Sequence, residues 1–408
     1  MSAYAAFLGH QPHISIAELS ASAPGFSLTK ILKKQVLLFN STQPLNEAFL
    51  NTLGGTVVIA KRITDKDLTL DDVPQALYNE LQETKGKATF SIRTFGLSPR
   101  ETRDLYRNGK QFLKRNGKSS RYVGNERQAA ASVLLLDEGL IDGTGGCEIV
   151  VIRDEDTLWI GKTVAAQNVN AYTERDMKKP VRDTTVGLLP PKLAQILLNL
   201  GHWLAREKKN EIDHEAPFTV YDPFCGTGVI PIECLLRGWS ILASDASQKA
   251  VSGCEKNLEW LRKEKKILKR DVPSVVWKQD ATKPFKVEKE KPNAVVTETT
   301  LGPGMGARPT VKDAQKLKSE NEKLQIAFLK NVASAFPGVP VACTWPVWQT
   351  SKGPVRLESV FDELLDIGFT AVLPPGVVAD EPSRPTLMYR RPDQFVGREI
   401  VLLRPTRS

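Results

Sequence analysis

The chain has 408 residues, 41% hydrophobic and 25% charged, proportions that exclude wholesale disorder and leave room for roughly two or three domains. No apolar run approaches the ~18 residues a membrane helix needs, and with His10, His13 and Glu18 near the start a secretory signal is not expected. The 56 basic and 47 acidic residues leave a net charge of +9, and eleven Lys/Arg against only Glu101 and Asp104 fall between Lys85 and Arg121, a balance that favours a polyanionic partner.

In chain order, Tyr4–Leu8 reads as a strand and Ser15–Ala23 as a short helix. The apolar runs Lys34–Asn40 and Gly55–Ala60 are strands around a helix at Pro44–Leu53, and Asp71–Thr84 is a further helix. Ala88–Phe95 alternates as a strand, and Ser98-Pro99 opens a helix to about Asn116. Leu105, Gly109, Phe112 and Leu113 share the inner stripe of that helix. Arg103, Arg107, Lys110 and Lys114 fall on the opposite face, where they suit a phosphate backbone or simply solvent. A strand at Arg121–Val123, a helix at Arg127–Glu138 and strands at Cys147–Ile152 and Thr157–Thr163 follow.

Val164–Gly187 has little periodicity and reads as a linker. Beyond it, helices at Pro190–Ala205, Val229–Arg237, Ser247–Glu264, Val311–Phe336 and Val355–Leu365 alternate with strands. Those strands are Phe218–Tyr221, Ser240–Ala243, Ser274–Lys278, Ala294–Thr297 and Val339–Thr344, with Phe369–Leu373, Thr386–Tyr389 and Glu399–Leu403 closing the sheet. The alternation implies an α/β, doubly wound parallel sheet with an antiparallel element at its end. The expected organisation is a small α+β domain at 1–75, a second α+β domain at 76–165, a linker at 166–186 and the doubly wound domain at 187–408.

The chemistry concentrates in Val220–Ile230, VYDPFCGTGVI, where a strand ends at Asp222 and a turn carries Gly226 and Gly228 into a helix. Glycines there let the backbone approach a nucleotide-like ligand. Asp245 ends the next strand, where a carboxylate suits ribose hydroxyls, and Asp280 ends the one after it, near an adenine edge. The turn lacks the GxGxxG spacing of a pyrophosphate site, which argues against NAD. Cys225 sits at a helix start that could lower a thiol pKa, but no histidine lies close in sequence to activate it as a nucleophile. Five cysteines without a CxxC pair, and four histidines (His10, His13, His202, His214) without ligand spacing, make a disulfide framework and a structural zinc improbable and fit a reducing cytoplasm.

DPFCGTGVIPIE resembles motif I of the class I S-adenosylmethionine-dependent methyltransferases, nearest to the THUMP-domain tRNA guanine-N2-methyltransferases. Arg175–Leu200 is similar to the segment leading into their catalytic domain, and FSIRTFGLSPR with LKRNGKSSRYV is similar to a THUMP domain. FLGHQPHISIAEL and LGGTVVIAKRI resemble the small domain preceding it. The resemblance implies a THUMP-containing region followed by a Rossmann-like methyltransferase domain, in a cytoplasmic tRNA-processing enzyme. It implies S-adenosylmethionine as cofactor and tRNA as partner. Asp222, Phe224, Cys225, Gly226 and Gly228 would then lie around its methionine part, Asp245 at the ribose and Asp280 at the adenine amine. Pro190, Pro191 and Lys192 would start a helix covering the pocket, and Arg103, Arg107, Lys110 and Lys114 would hold RNA. Some members act with a small activating subunit and others alone.

At the fourth strand the chain departs from the family. Relatives that methylate amines carry Asn/Asp-Pro-Pro-Tyr, whose oxygens orient the amine and whose ring stacks on the base. Here the sequence is Thr297-Glu298-Thr299-Thr300, with Thr297 in the Asn/Asp place, Thr300 in the aromatic place and Glu298 free to accept from the amine. Phe224, Trp345 or Trp348 could supply the ring, or the tryptophans could be core. A methyltransferase for another RNA or DNA base amine, and a non-catalytic RNA-binding relative, are the alternatives.

Overall fold

In the computed structural model, residues 1–64, 68–182, 188–206, 218–285, 291–379 and 381–406 are described; His214 and residues 183–187 of the expected linker lie outside them. Two compact units form, Met1–Leu19 with Ala23–Thr173, and Ser20–Ser22 with Glu174–Ser408. No helix among the described residues is long and apolar enough to cross a membrane.

The first unit runs β1 (Ser2–Leu8), α1 (Pro12–Ser22), β2 (Ser27–Leu32), β3 (Val36–Ser41), α2 (Glu47–Leu50), β4 (Thr56–Arg62) and α3 (Val73–Leu81). It continues with β5 (Ala88–Phe95), α4 (Pro99–Arg115), β6 (Ser120–Tyr122), α5 (Ser132–Asp137), β7 (Gly146–Asp154) and β8 (Thr157–Ala166). One eight-stranded sheet in the order β2-β3-β1-β4-β8-β7-β5-β6 joins them. Strands from both expected N-terminal domains thus share a sheet, with β4 paired antiparallel to β8 through Val58↔Ala166 and Lys61↔Lys162. The sequence pattern did not anticipate β2, whose first five residues are exposed, because an edge strand covered on neither face carries no hydrophobic period. The helix expected from Arg127 is shorter and begins only at Ser132.

Helix α4 shows why its face is basic. Ser98 and Glu101 close a reciprocal cap, Ser98 N–H donating to Glu101 Oε2 at 2.8 Å and Glu101 N–H to Ser98 Oγ at 3.3 Å. Leu105, Tyr106, Gly109 and Leu113 are buried. The Tyr106 hydroxyl donates to Ile92 O at 2.9 Å and accepts from Ile92 N–H at 3.1 Å, fixing the helix on β5. That docking turns Arg103, Arg107, Lys110 and Lys114 out together, all four exposed.

Helix α6 (Val169–Met177) lies inside the expected linker, and the second unit goes on with α7 (Pro191–Arg206), β9 (Thr219–Asp222), α8 (Val229–Leu236), β10 (Ser240–Asp245), α9 (Gln248–Lys265), β11 (Ser274–Lys278) and β12 (Ala294–Glu298). Then come α10 (Val311–Ala335), β13 (Val341–Thr350), β14 (Gly353–Val355), α11 (Glu358–Asp362), α12 (Leu364–Ile367), β15 (Phe369–Ala371), β16 (Leu387–Tyr389) and β17 (Val396–Pro405). The sheet order is β11-β10-β9-β12-β13-β17-β15, with β14 on β13 and β16 on β17. Strands β9 to β13 pair in parallel, and β17 inserts antiparallel beside β13. The order therefore reverses between β9 and β12, and a crevice opens at their carboxyl ends.

The strand expected to end at Thr344 runs on to Thr350 because Trp345 and Trp348 are fully buried in the sheet core, with Phe328 and Leu329 from α10. Those tryptophans are core and not a clamp for a base. Helix α7 packs on the sheet, where a Cβ on Gly201 would lie 2.5 Å from Val296 Cγ2.

Candidate active site

A cavity of about 490 Å³ lies at that crevice, and Asp222, Asp245, Asp280 and Glu298 all line it. The carboxylates that close three adjacent strands therefore share one space, each reached by a short path from its own strand.

Asp222 is 2% exposed. Its Oδ1 accepts from Thr297 Oγ1 at 2.6 Å and from Phe224 N–H at 3.2 Å. Burial pushes its carboxyl up to about 7, against the pull of these two donors, and the negative Asp245 and Glu298 add to the rise. Asp245 ties the glycine turn to the next strand: Oδ2 accepts from Gly226 N–H at 3.0 Å and Oδ1 from Ser247 N–H at 2.8 Å. Asp280 lies at the open rim, and the hydroxyl and N–H of Thr282, at 2.7 and 2.9 Å, hold its carboxyl below the usual range.

The turn requires its glycines. Gly226 has φ +51° and Gly228 φ +89°, and a Cβ on Gly228 would sit 2.7 Å from Cys254 Sγ. Gly228 caps α8 from outside the cavity wall, and Pro190 and Pro191 also lie outside it; Leu188 and Leu189, just before α7, line it instead. Cys225 lines the wall, where the hydrogen bond with the neighbouring Cys254 thiol, and then burial, push its pKa far up and disfavour a nucleophilic thiolate.

At the end of β12 the residues divide. Thr297 is buried behind the wall and serves Asp222. Glu298 faces the cavity with Oε1 accepting from Arg398 Nε at 2.6 Å. Thr299 Oγ1 donates to Thr344 O and accepts from Gln325 Nε2, at 2.6 and 2.7 Å. Thr300 is exposed at the rim, its carbonyl accepting from Asn321 Nδ2 at 3.1 Å. Phe224 is the aromatic side chain of the wall, edge-on to Phe328 at 5.2 Å.

Sequence reading missed Arg398, Asn321, Gln325 and Asn257. Asn321 and Gln325 are a buried polar i,i+4 pair on a long helix, a signal the sequence contains. Asn257 donates to Thr227 O at 2.8 Å and Val181 O at 2.9 Å, pinning the glycine turn to the segment before α7. Nothing in local pattern marks Arg398, which reaches Glu298 across a hundred residues of chain. In the first unit, Arg103 meets Glu126 at 3.3 Å and Arg107 meets Asp104 at 3.9 Å. Lys110 lies 5.6 Å from the Tyr122 ring centre. Such exposed pairs bind weakly and leave the face open to a stronger anion.

The model of a family described as Conserved hypothetical protein 95 matches residues 199–289, which takes in the glycine turn, Asp245 and Asp280. Among solved structures, TrmN from Thermus thermophilus is similar with a TM-score of 0.50 at 15% identity, covering 99% of both chains. A "possible methylase" from Clostridium difficile 630 gives 0.44 at 14% identity, again over 99% of both. Magnesium protoporphyrin IX methyltransferase (ChlM) from Synechocystis PCC 6803, with bound SAH, gives 0.34 at 15%, over 58% of this chain and 95% of that one. The likeness to TrmN runs through both units, and the second unit has the Rossmann-like fold of the class I methyltransferases.

Proposed function

We propose that the chain is an S-adenosylmethionine-dependent methyltransferase that acts on an exocyclic amine of tRNA, guanine N2 foremost. The observation that carries this reading is the convergence of Asp222, Asp245 and Asp280 on one cavity beside the glycine turn. The donor set fits the cofactor: a buried carboxylate for a cationic methionine end, a strand-end carboxylate for ribose hydroxyls, and a third at the rim for an adenine amine. When bound, the cofactor supplies an electrophilic methyl group on a sulfonium.

The chain's own residues then orient and exclude. Asp222 meets positive charge in a dry setting, where a single ion pair counts for far more than in water. Leu188 and Leu189 give the wall an apolar stretch. Glu298, at the end of the strand where amine-methylating relatives place their hydrogen-bond acceptor, accepts from the target amine. Phe224 offers the ring that Thr300 lacks. An amine whose lone pair is delocalised into its base gains most from being held in line, so positioning and electrostatics carry the catalysis.

The basic face of α4 holds the RNA backbone by charge and shape. The target base leaves its stack to reach the second unit. A cytoplasmic setting agrees with the five free, buried cysteines.

The test is transfer of a labelled methyl group from S-adenosylmethionine to unmodified tRNA, followed by mass spectrometry of the nucleosides. Labelled N2-methylguanosine is the expected product. Reversing charge with Arg107→Glu and Lys110→Glu should weaken tRNA binding and lower the slope of log affinity against log salt by about 1–2, with cofactor affinity unchanged. Transfer to duplex DNA in place of tRNA, or an unaltered salt slope, contradicts the reading.

A further inference from the structure

Glu298 of the cavity wall is one half of an ion pair, with Arg398, to which the reading above gives no part in holding the cofactor. Glu298 closes β12 with 11% of its side chain exposed, and Arg398, 4% exposed, comes to it from β17. Arg398 Nε donates to Glu298 Oε1 at 2.6 Å, and Nη2 donates to Leu188 O at 3.2 Å. The guanidinium lies 5.9 Å from the ring centre of Tyr389, so it is held on three sides. Among the described residues Oε2 of Glu298 has no protein partner, and Glu298 belongs to the cavity wall. A carboxylate fixed through one oxygen and open through the other is a directed acceptor.

We infer that Arg398 is a positioning residue that keeps Glu298 ionised and aimed, and that this carboxylate selects guanine among the base amines. The inference rests on the methyltransferase reading above. Guanine presents two adjacent donors, N1–H and N2–H, to one acceptor-only group. Adenine and cytosine present a donor beside an acceptor, and a carboxylate has nothing to give that acceptor. The pair thus does by charge what an amide side chain cannot, since an amide would offer a donor and an acceptor alike. A site built around a buried polar partner rejects bases that leave it unpaired more strongly than a site built on shape.

The charged groups that face Glu298 are Arg398 from β17 and Asp222 from β9. Burial raises the Glu298 carboxyl, and Arg398 opposes that rise through its charge and hydrogen bond. Without the guanidinium the carboxyl rises further, protonates and becomes a donor facing donors. Activity that needs the ionised form is then lost on the acid side first.

The experiment uses the full chain with unmodified tRNA and labelled S-adenosylmethionine, comparing wild type with Arg398→Gln, Arg398→Lys and Glu298→Gln. Wild type should yield methylated guanosine without methylated adenosine or cytidine. Glu298→Gln should lose on the order of 100-fold in kcat/KM and relax the base preference. In Arg398→Gln the acid limb of the kcat profile should move to higher pH, with cofactor Kd unchanged and activity recovered in alkaline buffer. If Arg398→Gln does not fold, Arg398→Lys decides: it keeps the charge but lacks the planar fork whose Nε and Nη2 meet Glu298 and Leu188 in fixed directions, so kcat should fall several-fold with a smaller shift of the limb. A folded Arg398 variant with the wild-type limb and rate overturns the inference while leaving the methyltransferase reading intact, as does equal wild-type methylation of adenine or cytosine. A wild-type protein that methylates no nucleoside overturns both.

Discussion

Asp222→Asn should weaken S-adenosylmethionine binding on the order of 100-fold and, at pH 8, make the ligand-free protein more stable. Asn keeps the shape and can still accept from Thr297 Oγ1 and Phe224 N–H, the two donors that hold the aspartate, so the fold should survive. What it removes is a negative charge in a dry pocket, and losing one partner of a buried charge pair costs about 2–5 kcal/mol of binding. The stability effect has the opposite sign. With the folded carboxyl pushed up to about 7 from an ordinary 3.8, the native state favours the neutral acid. That contribution is complete below the unfolded value and is lost as pH rises through 7. The wild-type protein therefore carries a strained carboxylate at pH 8 and none at pH 5. The Asn variant should gain most in thermal midpoint at pH 8, clearly less at pH 5 and nothing below the unfolded value of 3.8. Cofactor affinity of the wild type should tighten from pH 6 to pH 8, and that of the variant should stay flat. Calorimetric titration at both pH values reads the binding, and thermal melts of the ligand-free proteins read the rest. Equal affinities for the two proteins would remove Asp222 from the site.

Gly228→Ala should cost about 2–4 kcal/mol of stability and abolish cofactor binding with it. Two separate penalties add. A left-handed backbone at φ +89° costs a residue with a Cβ about 1–2 kcal/mol, and the new methyl would lie 2.7 Å from Cys254 Sγ and 3.4 Å from Cys254 Cα, forcing α9 and the turn apart. Gly238 separates the two, because its φ is +71° with nothing within 4 Å of a Cβ; Gly238→Ala should show the backbone penalty alone. Adding Cys254→Ala to Gly228→Ala should recover the steric part and leave the rest, a coupling that a double-mutant cycle in urea measures. A Gly228→Ala protein as stable as the wild type would mean that the turn does not adopt this conformation.

Much of this was legible in the sequence, and the reasons differ by element. The second unit could be read because each strand is short, apolar and bounded, and because an aspartate closes three of them at the turn where a doubly wound sheet places its ligands. The basic face of α4 could be read because a capped amphipathic helix fixes both of its faces at once. Strand β2 could not, since neither of its faces is covered along most of its length. Nor could the extension of β13, since the sequence left Trp345 and Trp348 open between a ring for the base and core packing, and only the assembled sheet shows that they fill the core.

Chemistry at the end of β12 was half visible. Thr297 and Glu298 are where the sequence placed them, but which of them faces the cavity depends on the pleat and on partners far along the chain. Thr297 is turned to Asp222, and Glu298 is met by Arg398. Contacts of that kind carry no periodic signal, so the residue that orients the acceptor was invisible until the sheet had been assembled.

The most direct test of the whole account is a crystal structure of the protein grown with S-adenosylhomocysteine. The account expects the ligand in the cavity at the end of β9, with its amino end beside Asp222, its ribose hydroxyls on Asp245 and its adenine toward Asp280. A ligand bound elsewhere, or a cavity that stays empty at saturating ligand with the three aspartates turned to other partners, would contradict it.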